Sequence, residues 1–291
     1  MKQINKNINQ VMKQKQLIFC MGLSAIALLT SCNEREFEFP SEGSKETEKG
    51  TLVLNLNAST NFDQTRALNE TDYENIQNYD VKVLTSEGKE KLSCKASDLS
   101  NKLPLTLGIG SYRVVASFGK EHTKSQSEFY MYGERLVTIT PDCELNENVN
   151  CTPTCGKLSV AFDDEMAELF TEYKATFAFT TTKGDESIEW GKTDNEPWYI
   201  YLDNGANTIN YTIHLTAKDD YLAEIGTEKE KVNSGTVKGS FTLQRNEWHN
   251  LVIRPNFIPS TGGGLKLTIT IDGETNDHPI TWEVPSSWTT Y

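Results

Sequence analysis

A period of two in the apolar residues is the feature that most constrains the fold of this chain. In the segment 265–271 every second residue is Leu or Ile, and Leu52, Leu54 and Leu56 repeat the pattern. Such alternation places the apolar side chains on one face of a β-strand. Similar short stretches recur along the chain, and the long helical patterns that connect parallel strands are missing from the sequence. The sequence therefore predicts an all-β protein of sandwich type.

The stretch 103–116 predicts an antiparallel hairpin. Apolar residues alternate over 103–107 and again over 112–116, and Gly108 and Gly110 lie between the two runs. Because glycine tolerates conformations that other residues avoid, the pair permits a tight reversal of the chain.

Two short helices are expected among the strands. Thr71 and Glu74 have the spacing of a capping box, which predicts a helix from Thr71 to about Gln77. Residues 163–173 begin with acids, which suit the positive end of a helix dipole, and they carry one apolar side.

A basic and then apolar segment begins the chain. Four lysines and no acid precede Leu17, and 13 mostly apolar residues run from Leu17 to Leu29. A membrane-spanning helix needs about 20 apolar residues, so this segment predicts a signal peptide instead. It ends in Thr30-Ser31-Cys32, which resembles a bacterial lipoprotein signal, in which a peptidase cuts before the cysteine and the thiol is lipidated. A simple secretory signal with an ordinary cysteine at Cys32 is the alternative.

The residues behind Cys32 bear on where the protein is displayed. The stretch 33–38 carries glutamates at positions 34, 36 and 38 and is interrupted by Arg35, and it resembles the surface-export signal of Bacteroidetes lipoproteins. This resemblance implies that outer-membrane lipid is the partner of acylated Cys32 and that the protein faces outward from the outer membrane.

The chain divides into four parts by composition. Residues 1–31 are the signal, and residues 32–49 form a polar spacer with little to bury. The 260 residues left after removal of 31 from 291 suffice for two domains. Polar residues around Pro153 suit a junction, so we expect one β-sandwich domain over 50–150 and a second over 151–291.

The mature chain is strongly acidic. The sequence holds 28 basic and 41 acidic residues, and loss of four lysines with the signal leaves 24 − 41, a charge of −17. Nucleic-acid binding is therefore not expected, because Lys and Arg must neutralise phosphates. The simplest meaning of the charge is solubility outside the cell.

Four cysteines remain besides Cys20 in the signal and the lipidation candidate, namely Cys94, Cys143, Cys151 and Cys155. An even number in an oxidising compartment predicts one or two disulfides, with three pairings open and unpaired buried thiols as the alternative. A metal site is not favoured, because no histidine lies nearby and the spacing is not that of zinc sites.

Motifs for catalysis or cofactors are absent from the sequence. None of the four histidines lies in H-E-x-x-H, and there is no G-x-S-x-G, P-loop or dinucleotide fingerprint. With 41 acids, a pair of carboxylates chosen by hand carries little information. We therefore expect no enzyme activity, no cofactor and no metal.

Aromatic residues cluster in the segment 190–201. Trp190 and Trp198 are candidate glycan contacts, because aromatic platforms bind the faces of sugars. The favoured alternative is that these residues fill the core of a sandwich. Since neighbours in a strand point to opposite faces, at most one of Trp198 and Tyr199 is expected to lie in a core.

Several motifs together resemble a known family. In order, they are the lipoprotein signal, Gly50-x-Leu52-x-Leu54, Thr65-Arg66-Ala67, the stretch 105–116, Tyr130-Met131-Tyr132-Gly133 and Cys151 ahead of the strand 158–160. This order resembles a Bacteroidetes lipoprotein family of unknown function, the domain-of-unknown-function family four-four-nine-three, which is similar to fimbrillin-like pilus and adhesin proteins. The resemblance implies two transthyretin-like antiparallel β-sandwich domains in tandem. The extra cysteines Cys143 and Cys155 depart from the pattern.

The resemblance also implies a function. A lipid-anchored structural or adhesive protein of the cell surface is expected, as a fimbrial anchor or accessory subunit with other fimbrial subunits as partners. A surface lipoprotein that binds host or other glycans is the alternative.

A proteolytic maturation site is part of the same resemblance. In the resembling pilus subunits a protease cuts after an arginine near the mature N-terminus, and another subunit's strand fills the groove left behind. Arg66 is the candidate here, with Arg35 as the alternative, and cleavage after Arg66 would release residues 50–66. The strand Leu265–Ile271 is a candidate donor, although such a strand more often completes its own sheet.

Overall fold

Strands with one apolar face make up most of the protein, as the alternation predicts. The computed structural model describes residues 48–62, 68–218, 223–224, 231–232, 234–257, 265–272, 274–279 and 281–282. In these residues the helices are single turns, α1 (Thr71–Glu74) and α2 (Met166–Leu169), and two 3₁₀ segments, Ile76–Asn78 and Ala96–Asn101. The all-β prediction is confirmed.

The first half of the described chain supplies eight strands. They are β1 (Lys49–Ala58), β2 (Asp80–Thr85), β3 (Glu90–Lys95), β4 (Leu105–Gly108), β5 (Gly110–Gly119), β6 (Lys124–Ser125), β7 (Tyr130–Ile139) and β8 (Glu144–Pro153).

Two layers form the first sandwich. One has the order β3-β2-β5-β7 with antiparallel neighbours, and the other has the order β8-β1-β4. The layers are continuous through a short β7–β8 pairing. One core contains the inward residues of both layers, including Leu52 and Leu54 of β1 and Val83 and Val114 of the facing layer. The layers are therefore the two walls of one sandwich.

The second half supplies the remaining strands. They are β9 (Cys155–Phe162), β10 (Phe170–Thr181), β11 (Gly184–Gly191), β12 (Trp198–Tyr201), β13 (Asn207–Ala217), β14 (Ala223–Glu224), β15 (Lys231–Val232), β16 (Ser234–Leu243), β17 (Trp248–Phe257), β18 (Leu265–Ile271), β19 (Glu274–Pro279) and β20 (Thr281–Trp282).

The second sandwich repeats the first. Its walls have the orders β11-β10-β13-β16-β20 and β19-β18-β17-β9-β12-β6, while β14 and β15 form a separate ribbon. Apart from the short β7–β8 pairing, which has no counterpart between β16 and β17 in the described residues, the pairings of β9, β10, β11, β12, β13, β16 and β17 match those of β1, β2, β3, β4, β5, β7 and β8. This match includes the one parallel pair of each sandwich, β1 with β8 and β9 with β17. The two halves are thus tandem copies of one topology.

The predicted domain boundary falls near the change of sandwich. The chain passes from the first to the second between Pro153 at the end of β8 and Cys155 at the start of β9. The described residues all belong to one compact unit that begins at Thr47. The division at residue 150 stays a prediction.

The predicted hairpin over 103–116 is wrong in its pairing. β4 pairs with β1, whereas β5 pairs with β2 and β7 in the other wall. Gly110 has a φ of 146°, which favours glycine, and the chain crosses there between the walls. Alternation identifies both strands, but their partners are distant in sequence.

Both predicted helices are shorter than expected. At the first, Asn75 is extended and ends α1, and Glu70 is the N-cap, so Thr71 does not form the expected capping box. At the second, α2 ends at Leu169 because Phe170 already begins a long strand. Aromatic and β-branched residues after α2 favour the strand β10, whereas α1 is followed by the 3₁₀ segment Ile76–Asn78.

Candidate functional site

The first strand, β1, lies between two strands that pair with it over different lengths. β1 pairs in parallel with β8 over eight residue pairs and antiparallel with β4 over four. Its leucines point into the core, where Leu52, Leu54 and Leu56 are all buried. Removal of β1 would open a groove between β8 and β4 that is lined by main-chain groups and apolar side chains.

The segment after β1 connects it to the rest of the protein. The Asn61 amide donates to Oδ1 of Asn246 in the turn between β16 and β17, at 2.8 Å. The Thr60 amide donates to a carboxylate oxygen of Glu74 in α1, at 3.1 Å. Phe62 is buried in an aromatic cluster. The exit of β1 is therefore held where the two sandwiches meet.

A strand lent by the first half closes a sheet of the second. β6 lies between β5 and β7 in sequence, yet it pairs with β12 through Ile200↔Lys124 and Tyr199↔Ser125. Lys124 also forms an ion pair with Glu186 at 2.9 Å. These contacts join the two sandwiches by main-chain pairing as well as by side chains.

A buried ion pair lies at the same junction. Lys157 Nζ of β9 is 2.9 Å from Oε1 of Glu70, and the two side chains are 0% and 2% exposed. The Tyr199 hydroxyl of β12 donates to the same oxygen at 2.6 Å. Glu70 lies at the start of α1 in the first half, so the group bridges the sandwiches.

Aromatic rings enclose the ion pair. Lys157 Nζ lies 4.7 Å from the centre of the Trp248 ring and 5.7 Å from that of Phe62. Phe129 stacks on Tyr199 with ring centres 4.9 Å apart. Cation–π attraction stabilises the ammonium group in this dry setting. The second carboxylate oxygen of Glu70, Oε2, is buried without a hydrogen-bond partner among the described residues.

The cysteines are free thiols in the structure, so the predicted disulfides among Cys94, Cys143, Cys151 and Cys155 are not formed in it. The positions of the cysteines explain why two of the three possible pairings do not form. Cys94 of β3 lies two strands away from Ala116 of β5, the residue whose carbonyl Cys151 Sγ contacts, a spacing of about 9.6 Å. Cys143 and Cys151 lie eight residues apart along the β8 segment, or about 26 Å. A disulfide needs Cα atoms within about 7 Å of each other.

Burial makes two of these thiols unreactive. Burial raises the pKa of Cys151 to about 12, and its Sγ contacts the Ala116 carbonyl oxygen at 3.6 Å. Burial likewise raises the pKa of Cys155 well above its ordinary value. A thiol that stays protonated at neutral pH is a poor nucleophile and a poor metal ligand. The alternative of unpaired buried thiols describes these two residues.

The two candidate glycan contacts pack against the second core. Trp190 is 1% exposed, and its indole Nε1 donates to the Asp194 carbonyl at 2.9 Å. Trp198 is partly buried against the same core, and Tyr199 on the opposite face of β12 belongs to the first core. The expectation that at most one of the two lies in a core is therefore wrong, because β12 has a core on each face. The interpretation as core is therefore right for Trp190, which has no face to offer to a sugar.

Two predicted site residues, Cys32 and Arg66, lie outside the described residues. Among the described residues, no helix is long and apolar enough to cross a membrane. In the same ranges, no group of three or more His, Cys, Asp or Glu side chains is placed to hold a metal ion.

A family model matches nearly the whole described chain. Residues 48–286 match the family described as Domain of unknown function (DUF4493). The chain belongs to this family. The resemblance seen in the sequence is confirmed. No curated protein sequence is similar enough to match.

Several solved structures are similar to this DUF4493 chain. A candidate adhesin from Bacteroides ovatus is 13% identical, with 82% of this chain and 96% of that chain covered and a TM-score of 0.42. A fimbrial anchor protein from Porphyromonas gingivalis is 11% identical, with coverages of 79% and 99% and a TM-score of 0.37. A candidate polysaccharide-binding protein from Bacteroides thetaiotaomicron is 11% identical, with coverages of 78% and 97% and a TM-score of 0.35.

Sequence reasoning about this DUF4493 protein missed Glu70 and Lys157. Lys157 follows Gly156 and precedes Leu158 in an alternating strand, where a lysine opposite a leucine usually marks a solvated face. That face is dry here because the first sandwich covers it. A single sequence carries no signal for this contact.

Proposed function

We propose that this protein is a lipid-anchored structural or adhesive protein of the cell surface, held at the outer membrane by acylated Cys32, without catalytic activity. In this proposal it serves as a fimbrial anchor or accessory subunit. The observation that carries the proposal is the placement of β1. It is the first described strand after the polar spacer, and it fills a groove between β8 and β4.

The groove suits strand exchange with another subunit. An incoming strand would have to satisfy the main-chain groups of β8 over eight residues and supply apolar residues at every second position. Both requirements follow from what β1 itself provides, since Leu52, Leu54 and Leu56 are its core residues. Backbone pairing gives affinity in such complexes, and the side-chain pockets give specificity.

Cleavage after Arg66 would separate anchoring from assembly. The cut lies beyond β1, so the N-terminal piece would keep both Cys32 and β1. The remainder would stay on the membrane only while β1 occupies its groove. An uncut chain would instead remain tethered as a permanent anchor. The two fates of Arg66 thus correspond to an exchangeable subunit and to an anchor.

The maturation state is tested on protein extracted from outer membranes. Cleavage predicts an acylated fragment that ends at Arg66 and a body that begins at Ala67, both resolved by intact mass after denaturation. Arg66→Ala should abolish the cut, and Arg35→Ala is the matched control that should leave it unchanged. A mature chain that still begins at Cys32 would exclude cleavage and leave the anchor role.

The lipid anchor is tested separately. Labelled palmitate should enter the wild-type protein, and Cys32→Ala should lose both the label and the membrane association. Release of unlabelled wild-type protein into the soluble fraction would refute the anchoring. Glycan binding, the alternative function, is not favoured because the indole of Trp190 is buried.

A further inference from the structure

The ion pair at the junction has the composition of a site for covalent bond formation. A lysine amine and a carboxyl group lie in contact, both are buried, and a hydroxyl donor touches the carboxylate. We propose that Lys157 and Glu70 condense to an amide, a covalent cross-link between the two sandwiches. This proposal does not depend on the proposed anchoring.

The reacting atoms are held close together. Lys157 Nζ is 2.9 Å from Glu70 Oε1, so the amine is in direct contact with the carboxyl group that it would attack. Lys157 is fixed by β9 between β17 and β12, and Glu70 by the turn that opens α1. Such fixed neighbours react with effective molarities far above those of free groups in water.

Burial removes the usual obstacle to condensation. In water, an ammonium and a carboxylate ion are strongly solvated, and that solvation favours the separate ions over the amide. At the junction the solvation is lost, because both side chains are almost fully buried. Condensation replaces two buried charges by one neutral amide. It also turns Oε2, an orphaned carboxylate oxygen, into an amide oxygen that demands less of its surroundings.

Atoms and protons balance without an outside reagent. The ammonium group passes one proton to Oε1 and attacks the carboxyl carbon as a neutral amine. A second proton passes from nitrogen through the Tyr199 hydroxyl to Oε1, because that hydroxyl already donates to this oxygen. The bond between carbon and Oε1 then breaks and one water leaves. The product is an amide that keeps Oε2 and one N–H.

The surroundings suit the departure of a single water. A cavity of about 10 Å³ lies beside the site, lined in part by Tyr199, Phe129 and Cys155. Such a volume holds roughly one water molecule. The rings of Phe62 and Trp248 flank the amine on other sides. Bulk water has little access, so hydrolysis of the amide would be disfavoured.

Peptide mapping of the purified full chain tests the cross-link. If the amide forms, trypsin fails to cut after Lys157, and a branched peptide joins residues 70 and 157 at the summed mass of its arms less one water. Denatured protein should also migrate faster on a gel, because the link closes a loop between positions 70 and 157. Normal cleavage after Lys157 and an unchanged mass in folded wild-type protein would show an ion pair only and overturn the proposal.

Matched variants distinguish the proposed amide bond from a simple ionic attraction between Lys157 and Glu70. Lys157→Arg keeps a cation beside Glu70 but offers no amine nucleophile, and it should yield no branched peptide. Lys124→Arg, in the solvent-exposed pair with Glu186, should leave the branched peptide unchanged. Tyr199→Phe should slow its appearance in newly made protein by about a hundredfold, the loss of one proton-transfer group. An unchanged rate in Tyr199→Phe would refute the relay through its hydroxyl.

Discussion

The strands β1 and β9 occupy the same place in the two sandwiches, and they differ in what covers their outer faces. Both have a buried glycine, Gly50 or Gly156, as their second residue, and both place a fully buried leucine two residues later. Between them stand Thr51, which is half-buried, and Lys157, which is completely buried. The two strands have equivalent neighbours in their sheets, but only β9 has the other sandwich against its outer face.

The difference shows how a repeated fold acquires distinct parts. A strand whose outer face meets solvent, like β1, can be exchanged without disturbing its neighbours on that side. A strand whose first residues are covered on both faces, like residues 155–158 of β9, contacts both cores. Position in the tandem therefore decides which copy of the strand has a solvated outer face and which one is packed against the other sandwich.

The largest effect on stability is expected at the residue between the glycine and the leucine of each strand, Thr51 in β1 and Lys157 in β9. Lys157→Ala leaves the carboxyl group of Glu70 buried with neither an ionic partner nor the proposed amide bond, and loss of one member of a buried ion pair alone costs about 3–5 kcal/mol. Thr51→Ala, at the equivalent place in β1, should cost less than about 1 kcal/mol. Urea unfolding measures both free energies. Equal costs would contradict the distinction between the two outer faces.

Truncation of the buried leucine that follows each of these residues should lower the free energy of unfolding nearly as much, and by the same amount in both strands. Leu52→Ala and Leu158→Ala each leave a cavity in a core, with an expected loss of about 3 kcal/mol of unfolding free energy. Urea unfolding of both variants checks the equality. A loss below about 1 kcal/mol for Leu52→Ala alone would mean that β1 already leaves its groove in the native protein.

A smaller and asymmetric effect is expected at the glycines. A Cβ on Gly50 would lie 2.8 Å from the Thr140 carbonyl oxygen, whereas one on Gly156 would meet mainly the side chains of Leu243 and Leu202. A backbone carbonyl group cannot move aside easily, whereas the end of a leucine side chain can. Gly50→Ala should therefore cost about 2–3 kcal/mol and Gly156→Ala about 1–2 kcal/mol, the range of overpacked cores. Thermal melts rank the two variants, and the reverse order would contradict this account.

The smallest effect concerns thiols and pH. Because burial raises the pKa of Cys151 from 9.0 to about 12, the unfolded chain loses this proton first as the pH rises. The stabilisation is full below pH 9 and is lost as the pH approaches about 12. In native protein at pH 8, iodoacetamide should label the partly exposed Cys94 well before Cys151. Equal labelling rates would refute the burial of Cys151.

The parts of the fold that could be predicted from the sequence are those with local causes. Alternating residues predict the strands near residues 52 and 265, because the inward face of a strand is written in its own sequence. The strand Leu265–Ile271 does complete its own sheet, between β17 and β19. The pairing of β4 with β1 instead of β5 depends on contacts between distant segments.

The candidate site shows the same limit. The burial of Trp190 follows from ordinary strand preferences. That of Lys157 follows only from the second sandwich being packed on the first, which no local pattern expresses. The family motifs indicate how the chain is organised, whereas the junction emerges only when the two copies are placed together.

The lent strand β6 has a consequence for the order of folding. It covers the edge of β12, and an uncovered edge of this kind is a template for aggregation with other chains. A chain emerges from the ribosome with its N-terminal half ahead. Because β6 is synthesised before β12, the strand that covers this edge is already present when β12 is made. The first half therefore protects the second half from aggregation during folding, as a chaperone would.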